Sequence, residues 1–426
     1  MKKVAFLFTF LVIFFIGCGG SGDVGEIETQ SLKGGELIAD FPANLLRKSL
    51  LENNQIDENA TVFGFRAYKI PYVTTDANGN RVNASGIMIV PSTTGADEKS
   101  KDALLKMKSV GLVAVLDCHG TIFANKEAPS VAISTTQEPK GAGVIFTSLG
   151  GFITLQPDYI GFGDSKDHYQ EYLIKKSSAS SVVDFLKAAI KFAKDNNIEW
   201  LNNQYYLTGY SQGGFVALAA LKELELNSNF PLLTVPMAGP YLLDPIAQNV
   251  LSLDTIKYPS FMAAVAYSYS KVYDQNISEL IQEPYASKLS VLFDGSLTRE
   301  EIDQELTTKV KGEGGLFTNE IVEDYGDSWF RSRLIENSVV DFSPQTPIKM
   351  VHCLGDDVIP YQISEATKDI FKNNLNALYI DLTPVEVALT GDLNTTLRYS
   401  HSECAIYAYM IAFKIFTTNR KERIGY

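Results

Sequence analysis

Histidine and cysteine are scarce in these 426 residues, with four of each, and tryptophan occurs only twice. No His/Cys group has the spacing of a zinc site, so no metal is expected. Positive charge is in deficit as well. The formal net charge is -13, and it becomes -15 once Lys2 and Lys3 leave with the N-terminal leader. Such a surface repels a phosphate backbone, which argues against a nucleic-acid partner. A dinucleotide fingerprint is also missing. In "PDYIGFGDS" (157–165) the glycines come close to the pattern, but position 166 is Lys. No cofactor is expected. No internal repeat is visible.

Cysteine usage bears on location. The start reads "MKKVAFLFTFLVIFFIGCGGSGDVGE". Lys2 and Lys3 precede an apolar run over 4–16 that contains only Thr9 as a polar residue. That is the length of a signal-peptide core and short for a membrane span. Gly17-Cys18 then resembles a bacterial lipobox, in which the cysteine is lipidated. This predicts a leader over 1–17, a lipid anchor on Cys18 and a flexible tether after it. Gly19 rather than Asp follows the cysteine, which favours the outer membrane over retention at the inner one. The plain alternative is an ordinary cleaved signal. Cys118, Cys353 and Cys404 remain. Three cannot all pair internally. One disulfide is open to them, with buried free thiols the slightly preferred reading.

What is present is ordinary globular composition, 45% hydrophobic and 20% charged, long enough for a large core. Residues 18–60 are polar and loosely patterned, apart from a short amphipathic piece near Leu45 to Leu51. Two strands joined at Asn78-Gly79 follow, a strong hairpin signal. A polar, Lys-rich loop is expected over 92–109. Apolar strands over 110–118, 151–159, 204–210, 231–239 and 347–353 then alternate with helices over 178–197 and 215–226. Strands apolar on both faces, alternating with helices, imply an α/β fold whose central sheet is mostly parallel and covered on both sides. Residues 241–342 lack strand signals. They are expected to form a helical cap inserted between two parts of the core, 61–240 and 343–426. Ligand crevices in open sheets lie at the strands' C-terminal edge, where such a cap would sit.

The chemistry centres on "LTGYSQGGF" (207–215). Ser211 follows an apolar strand, precedes a helix and is flanked by Gly209 and Gly213, which permit a tight turn. A serine oxygen is a weak nucleophile until a histidine takes its proton, and that histidine needs an acid to hold its tautomer. Of the four histidines, His352 and His401 lie C-terminal to Ser211. His352 sits within an apolar strand and reads as core. His401 stands in a loop before an apolar helix and reads as the base. In "HCLGDDVIP" (352–360) Asp356 is favoured as the acid, with Asp357 a capping or solvated neighbour. Negative charge developing on a carbonyl oxygen needs backbone donors. The amide of Gln212 supplies one, and Gly120 or Thr121, in the loop after the strand 110–118, supplies the other. His119 is read as a brace of that loop, and Asp158 and Tyr159 as braces of the pocket. The aromatic residues Phe261, Tyr267, Tyr269, Tyr273, Trp329 and Phe330 of the expected cap are candidates for an acyl pocket, with ordinary core as the alternative.

In this order "HGT", "PDYIGFGDS", "TGYSQGGF", "PMAGPYLLDP", "HCLGDDVIP" and "SHSECA" resemble the secretory lipases and related bacterial α/β hydrolases, over about 62–415. The resemblance implies an α/β-hydrolase fold, cofactor-free hydrolysis of carboxylic esters (a small-molecule or lipid ester substrate), and a Ser211, His401, Asp356 triad. Cys353 departs from the family pattern, where glycine usually follows the strand histidine. A peptidase of the same fold and a non-catalytic surface-binding homologue are the alternatives.

Overall fold

The computed structural model describes residues 31–53, 55–136, 143–373 and 379–426. The expected leader, Cys18 and the first part of the tether lie outside the described residues. Among the described residues ten strands form one sheet in the order β1-β2-β3-β4-β6-β5-β7-β8-β9-β10. They are β1 (Ser31–Leu32), β2 (Gly35–Phe41), β3 (Gly64–Thr75), β4 (Arg81–Ser92), β5 (Leu112–Cys118), β6 (Ile153–Pro157), β7 (Trp200–Tyr210), β8 (Thr234–Met237), β9 (Ile348–His352) and β10 (Ile380–Pro384). From β6 through β10 every neighbouring pair is parallel, whereas β1 to β4 pair antiparallel and β4 joins β6 antiparallel.

Alternation along the parallel strands splits the core in two. Leu112, Ala114 and Leu116 face one cluster with Tyr205, Leu207, Val182, Phe185 and Phe215. Val113 and Val115 face the other with Tyr206, Met237, Val351 and Phe416. All seven residues of β5 are buried, because helices cover both faces. Helices Lys175–Asp195 and Gln212–Leu226 contribute to the first cluster, and His401–Ile424 to the second.

The hairpin forms where Asn78-Gly79 predicts it. Thr75 pairs with Arg81, Gly79 takes φ +86°, and the Asp76 carboxylate accepts the Asn80 N–H at 2.7 Å. Two readings of the sequence are corrected. The stretch read as a Lys-rich loop holds a helix, Glu98–Val110, whose start is capped by Asp97 accepting from Ser100 N–H. Its one fully buried apolar side chain, Leu104, leaves too thin a stripe to read in sequence. The segment before residue 60 contributes β2, which pairs with β3; the amphipathic piece near Leu45 to Leu51 is the helix Ala43–Glu52, as read.

Between Met237 and Ile348 the described chain runs as helices and turns with two isolated bridges, Thr255 to Lys309 and Ile281 to Phe317. Its buried Leu243, Ala263, Phe317 and Phe330 belong to the same cluster as the sheet's first face. Among the described residues no helix is long and apolar enough to cross a membrane.

Candidate active site

β7 runs into the helix Gln212–Leu226 through a single residue, Ser211, at φ 58° and ψ -122°. A non-glycine residue held there stores strain that its surroundings must offset. Ser211 N–H donates to Met237 O, and Ser211 O accepts from Gly214 N–H, both at 2.9 Å. The glycines are required by space. A Cβ on Gly213 would lie 1.9 Å from Cys118 O, and one on Gly209 would lie 2.3 Å from Gly213 O. The turn is therefore pressed against the end of β5, with the serine hydroxyl at the strands' C-terminal edge.

His401 reaches this hydroxyl. Its Nε2 is 2.8 Å from Ser211 Oγ, and its Nδ1 is 2.6 Å from Asp356 Oδ2. A carboxylate only accepts, so Nδ1 carries the proton. In the neutral ring Nε2 is then free to accept from the serine. The helix His401–Ile424 starts under Ser400, whose hydroxyl and backbone N–H both donate to Glu403. Tyr210 hydroxyl donates to His401 O at 2.6 Å and Asp357 Oδ1 accepts His401 N–H at 3.0 Å, so the His401 backbone is held at both its N–H and its C=O.

Asp356 follows β9 and its side chain is fully buried. Burial alone would raise its pKa, but the charge and hydrogen bonds of His401 and His352 outweigh that and hold it well below the usual carboxylate range. Its Oδ1 also accepts the N–H groups of Val358 and Ile359 at 2.9 and 2.8 Å. The reading of His352 as core is half right. The residue is buried, yet Nε2 lies 3.1 Å from Asp356 Oδ2 and 3.0 Å from Ile359 O, both acceptors, so Nε2 carries the proton. Ser364 hydroxyl, 2.7 Å from Nδ1, completes the chain.

Two further ties escaped the sequence reading. Buried Glu386 accepts Leu354 N–H at 2.9 Å and Tyr399 N–H at 3.1 Å, joining the Asp356 loop to the loop before His401. Cys353 and Cys404 form a disulfide, against the preference for free thiols. Each lies three residues from Asp356 or His401, so folding brings the pair together whenever those two meet. Cys118 is an unpaired buried thiol.

The loop after β5 lies beside the turn, since a Cβ on Gly120 would come within 3.3 Å of Tyr210 O. Thr121 hydroxyl shares a 2.7 Å hydrogen bond with Tyr172. Gln212 is the first residue of its helix, where a backbone N–H has no partner within the helix. His119 stacks on Tyr159 at 4.0 Å, and its nitrogens lie 2.8 Å from Gly120 O and 3.2 Å from Asp158 O. Burial pushes its pKa down to about 4 against the pull of the two carbonyls, and the ring braces the loop. Asp158 accepts from Ser85 hydroxyl and from Ser130 hydroxyl and N–H, and burial pushes its pKa up to about 6. Among the described residues no cluster of His, Cys, Asp or Glu is arranged to hold a metal ion.

A cavity of about 240 Å³ opens at Ser211 and Gln212. Leu243, Ile246, Val250, Phe261, Met262 and Val265 supply much of its apolar wall. Of the six aromatic candidates only Phe261 lines it. Tyr269 and Phe330 are buried and pack edge-on, with Tyr269 hydroxyl donating to Leu173 O. Tyr267 stacks on Phe293, Trp329 donates to Glu279, and Tyr273 hydroxyl accepts from the Asn337 side-chain amide.

Comparison with known proteins agrees with this architecture. The family model of secretory lipases matches residues 142–398, a span that includes Ser211 and Asp356 and stops short of His401. A search of curated proteins found no match. Among solved structures, a Legionella pneumophila protein assigned to the hydrolases superposes with a TM-score of 0.73 at 20% identity, over 93% of this chain and 99% of that one. The rice cell wall degrading esterase LipA of Xanthomonas oryzae gives 0.72 at 18% identity, over 93% and 97%. Candida antarctica lipase A in its closed state gives 0.61 at 12% identity, over 90% and 81%. These likenesses establish the fold. The family match establishes more: the chain belongs to the secretory lipase family and is an α/β-hydrolase of the ester-cleaving kind.

Proposed function

We propose that the protein is an exported serine carboxylesterase or lipase that works through an acyl-enzyme. The observation that carries this reading is the unbroken hydrogen-bond chain from Ser211 Oγ to His401 to Asp356, at 2.8 and 2.6 Å. Ser211 attacks the ester carbonyl as His401 Nε2 takes its proton. Asp356 stays ionised and stabilises the imidazolium. The oxyanion is met by the N–H of Gln212 and that of Gly120 or Thr121. His401 then gives its proton to the leaving alcohol. Water, activated by the same ring, releases the acid.

The helical segment 241–342 acts as the cap over the acyl side in this proposal. It provides the apolar wall from Leu243 to Val265. The apolar lining of the cavity beside Ser211 suits the acyl part of an ester. No observation favours a peptidase. The only carboxylate among the described residues lining the cavity is Asp357, and it is already paired with Lys257. The basic start, the short apolar run and Cys18 support a lipid anchor that keeps the enzyme at the outer membrane.

The test uses residues 19–426 with p-nitrophenyl esters from acetate to palmitate, and aminoacyl p-nitroanilides beside them. Ester turnover is expected, with a chain-length optimum that separates esterase from lipase, and Ser211→Ala loses at least ~10³-fold. Turnover of anilides alone would replace the esterase reading with the peptidase one. Ester turnover that survives Ser211→Ala would remove the triad from the account.

A further inference from the structure

We propose that Asp357 and Lys257 are positioning residues for the base, coupling the helical segment over the cavity to the helix that carries His401. The inference rests on the triad reading above. Asp357 follows the acid by one residue but binds different groups. Its Oδ1 accepts His401 N–H at 3.0 Å, and its Oδ2 pairs with Lys257 Nζ at 2.8 Å. One carboxylate thus holds the first residue of the base's helix with one oxygen and the overlying segment with the other. The start of a 24-residue helix favours a negative group, because its first N–H groups are unpaired and its dipole is positive there. Burial would raise the Asp357 pKa, but Lys257 and the His401 N–H hold it below the usual carboxylate range.

Lys257 belongs to a braced strip. Just before it, Ile256 N–H donates to Thr308 O at 2.8 Å, and Val310 N–H donates to Asp254 O at 2.9 Å. Just after it, the Tyr258 ring has the Lys257 ammonium at 4.9 Å and the Arg299 guanidinium at 4.5 Å. Lys257 and Asp357 both line the cavity, so the link passes beside the space an acyl chain would fill. The disulfide and Glu386 secure the acid's loop to the elements beneath it. The Lys257–Asp357 pair adds a further tie, to the helical segment. A base that must stay within hydrogen-bond reach of Ser211 loses rate when either tie slackens.

The two side chains are 54% and 38% exposed, so the pair is screened by salt and worth a small factor. The experiment measures kcat and KM on p-nitrophenyl butyrate for wild type, Lys257→Met, Lys257→Arg, Asp357→Asn, Asp357→Ala and the Lys257→Met/Asp357→Asn double variant. Lys257→Met and Asp357→Asn are each expected to lower kcat about two- to fivefold with KM unchanged. The double variant should be no worse than either single one, because both remove the same link. Lys257→Arg should restore kcat. Asp357→Ala should lose more than about tenfold, since alanine offers His401 N–H no oxygen where asparagine does. Raising NaCl from about 0.05 M to about 1 M should bring wild type down to the level of Lys257→Met and leave that variant unchanged. Wild-type kcat in Lys257→Met, a loss confined to KM, or additive losses in the double variant would overturn the proposal. Ser211→Ala in the same assay separates the two claims: if it retains turnover, the triad reading itself fails; if it is inactive while Lys257→Met is unchanged, only the positioning role fails.

Discussion

Ser211 sits in a conformation that side chains avoid, and two glycines let the chain pack closely enough to hold it there. Gly213 is the tighter of the two. Gly213→Ala is expected to cost about 3 kcal/mol or to prevent folding, because its Cβ would collide with the β5 backbone rather than with a movable side chain. Denaturant unfolding checks this, and a stability within error of wild type would refute the close packing. At this scale the site was legible where chemistry restricts residue type. A serine between glycines, a histidine before the last helix and an aspartate after the penultimate strand could be picked from the chain order. His352, Glu386 and the double role of Asp357 could not be. The meaning of each comes from a partner brought near by folding.

Among the elements, the strands that position the site were legible for a physical reason. β5 and β7 lie in the middle of the sheet, so their site-proximal ends are buried on both faces and stand out as apolar runs. The hairpin was legible through its Asn-Gly turn. β2 was missed because its apolar run is only three residues, Leu37 to Ala39, and it pairs with β3. The helix Glu98–Val110 was missed because it buries little of its length. The disulfide joins two elements, and sequence alone could not choose among three thiols. It closes a loop of 51 residues between the end of β9 and the helix of the base. A Cys353→Ala/Cys404→Ala variant is expected to lose about 4 kcal/mol in guanidinium unfolding, chiefly through the freedom regained by the unfolded chain. A change below about 1 kcal/mol would mean that Glu386 and the triad's own bonds already hold these elements together.

For the molecule as a whole, buried ionisable groups set how stability follows pH. Asp117 is raised by burial from 3.8 to about 6, despite hydrogen bonds from Gln156 and Tyr409. Between those values the folded state holds more protons than the unfolded one, so stability falls as pH rises from about 4 to about 6. Asp158 acts in the same direction. His119 opposes them: its pKa drops from 6.5 to about 4, so its contribution is lost as pH falls through that window. Asp117→Asn should flatten the Asp117 part of the slope, by at most about 1.4 kcal/mol per pH unit, in unfolding followed from pH 4 to 6. An unchanged slope would mean that Asp117 does not titrate in that range. The proposed triad is also a property of the whole fold. Its members lie 145 and 45 residues apart in sequence, and the sheet, the disulfide and the helix of the base bring them within two hydrogen bonds. The central claim is that His401 activates Ser211 as a nucleophile. Labelling with a fluorophosphonate probe, located by peptide mass spectrometry, tests it most directly. The account predicts label on Ser211 in the wild type and at least ~10³-fold slower labelling in His401→Ala. Label on another residue, or equal rates in the two proteins, would contradict it.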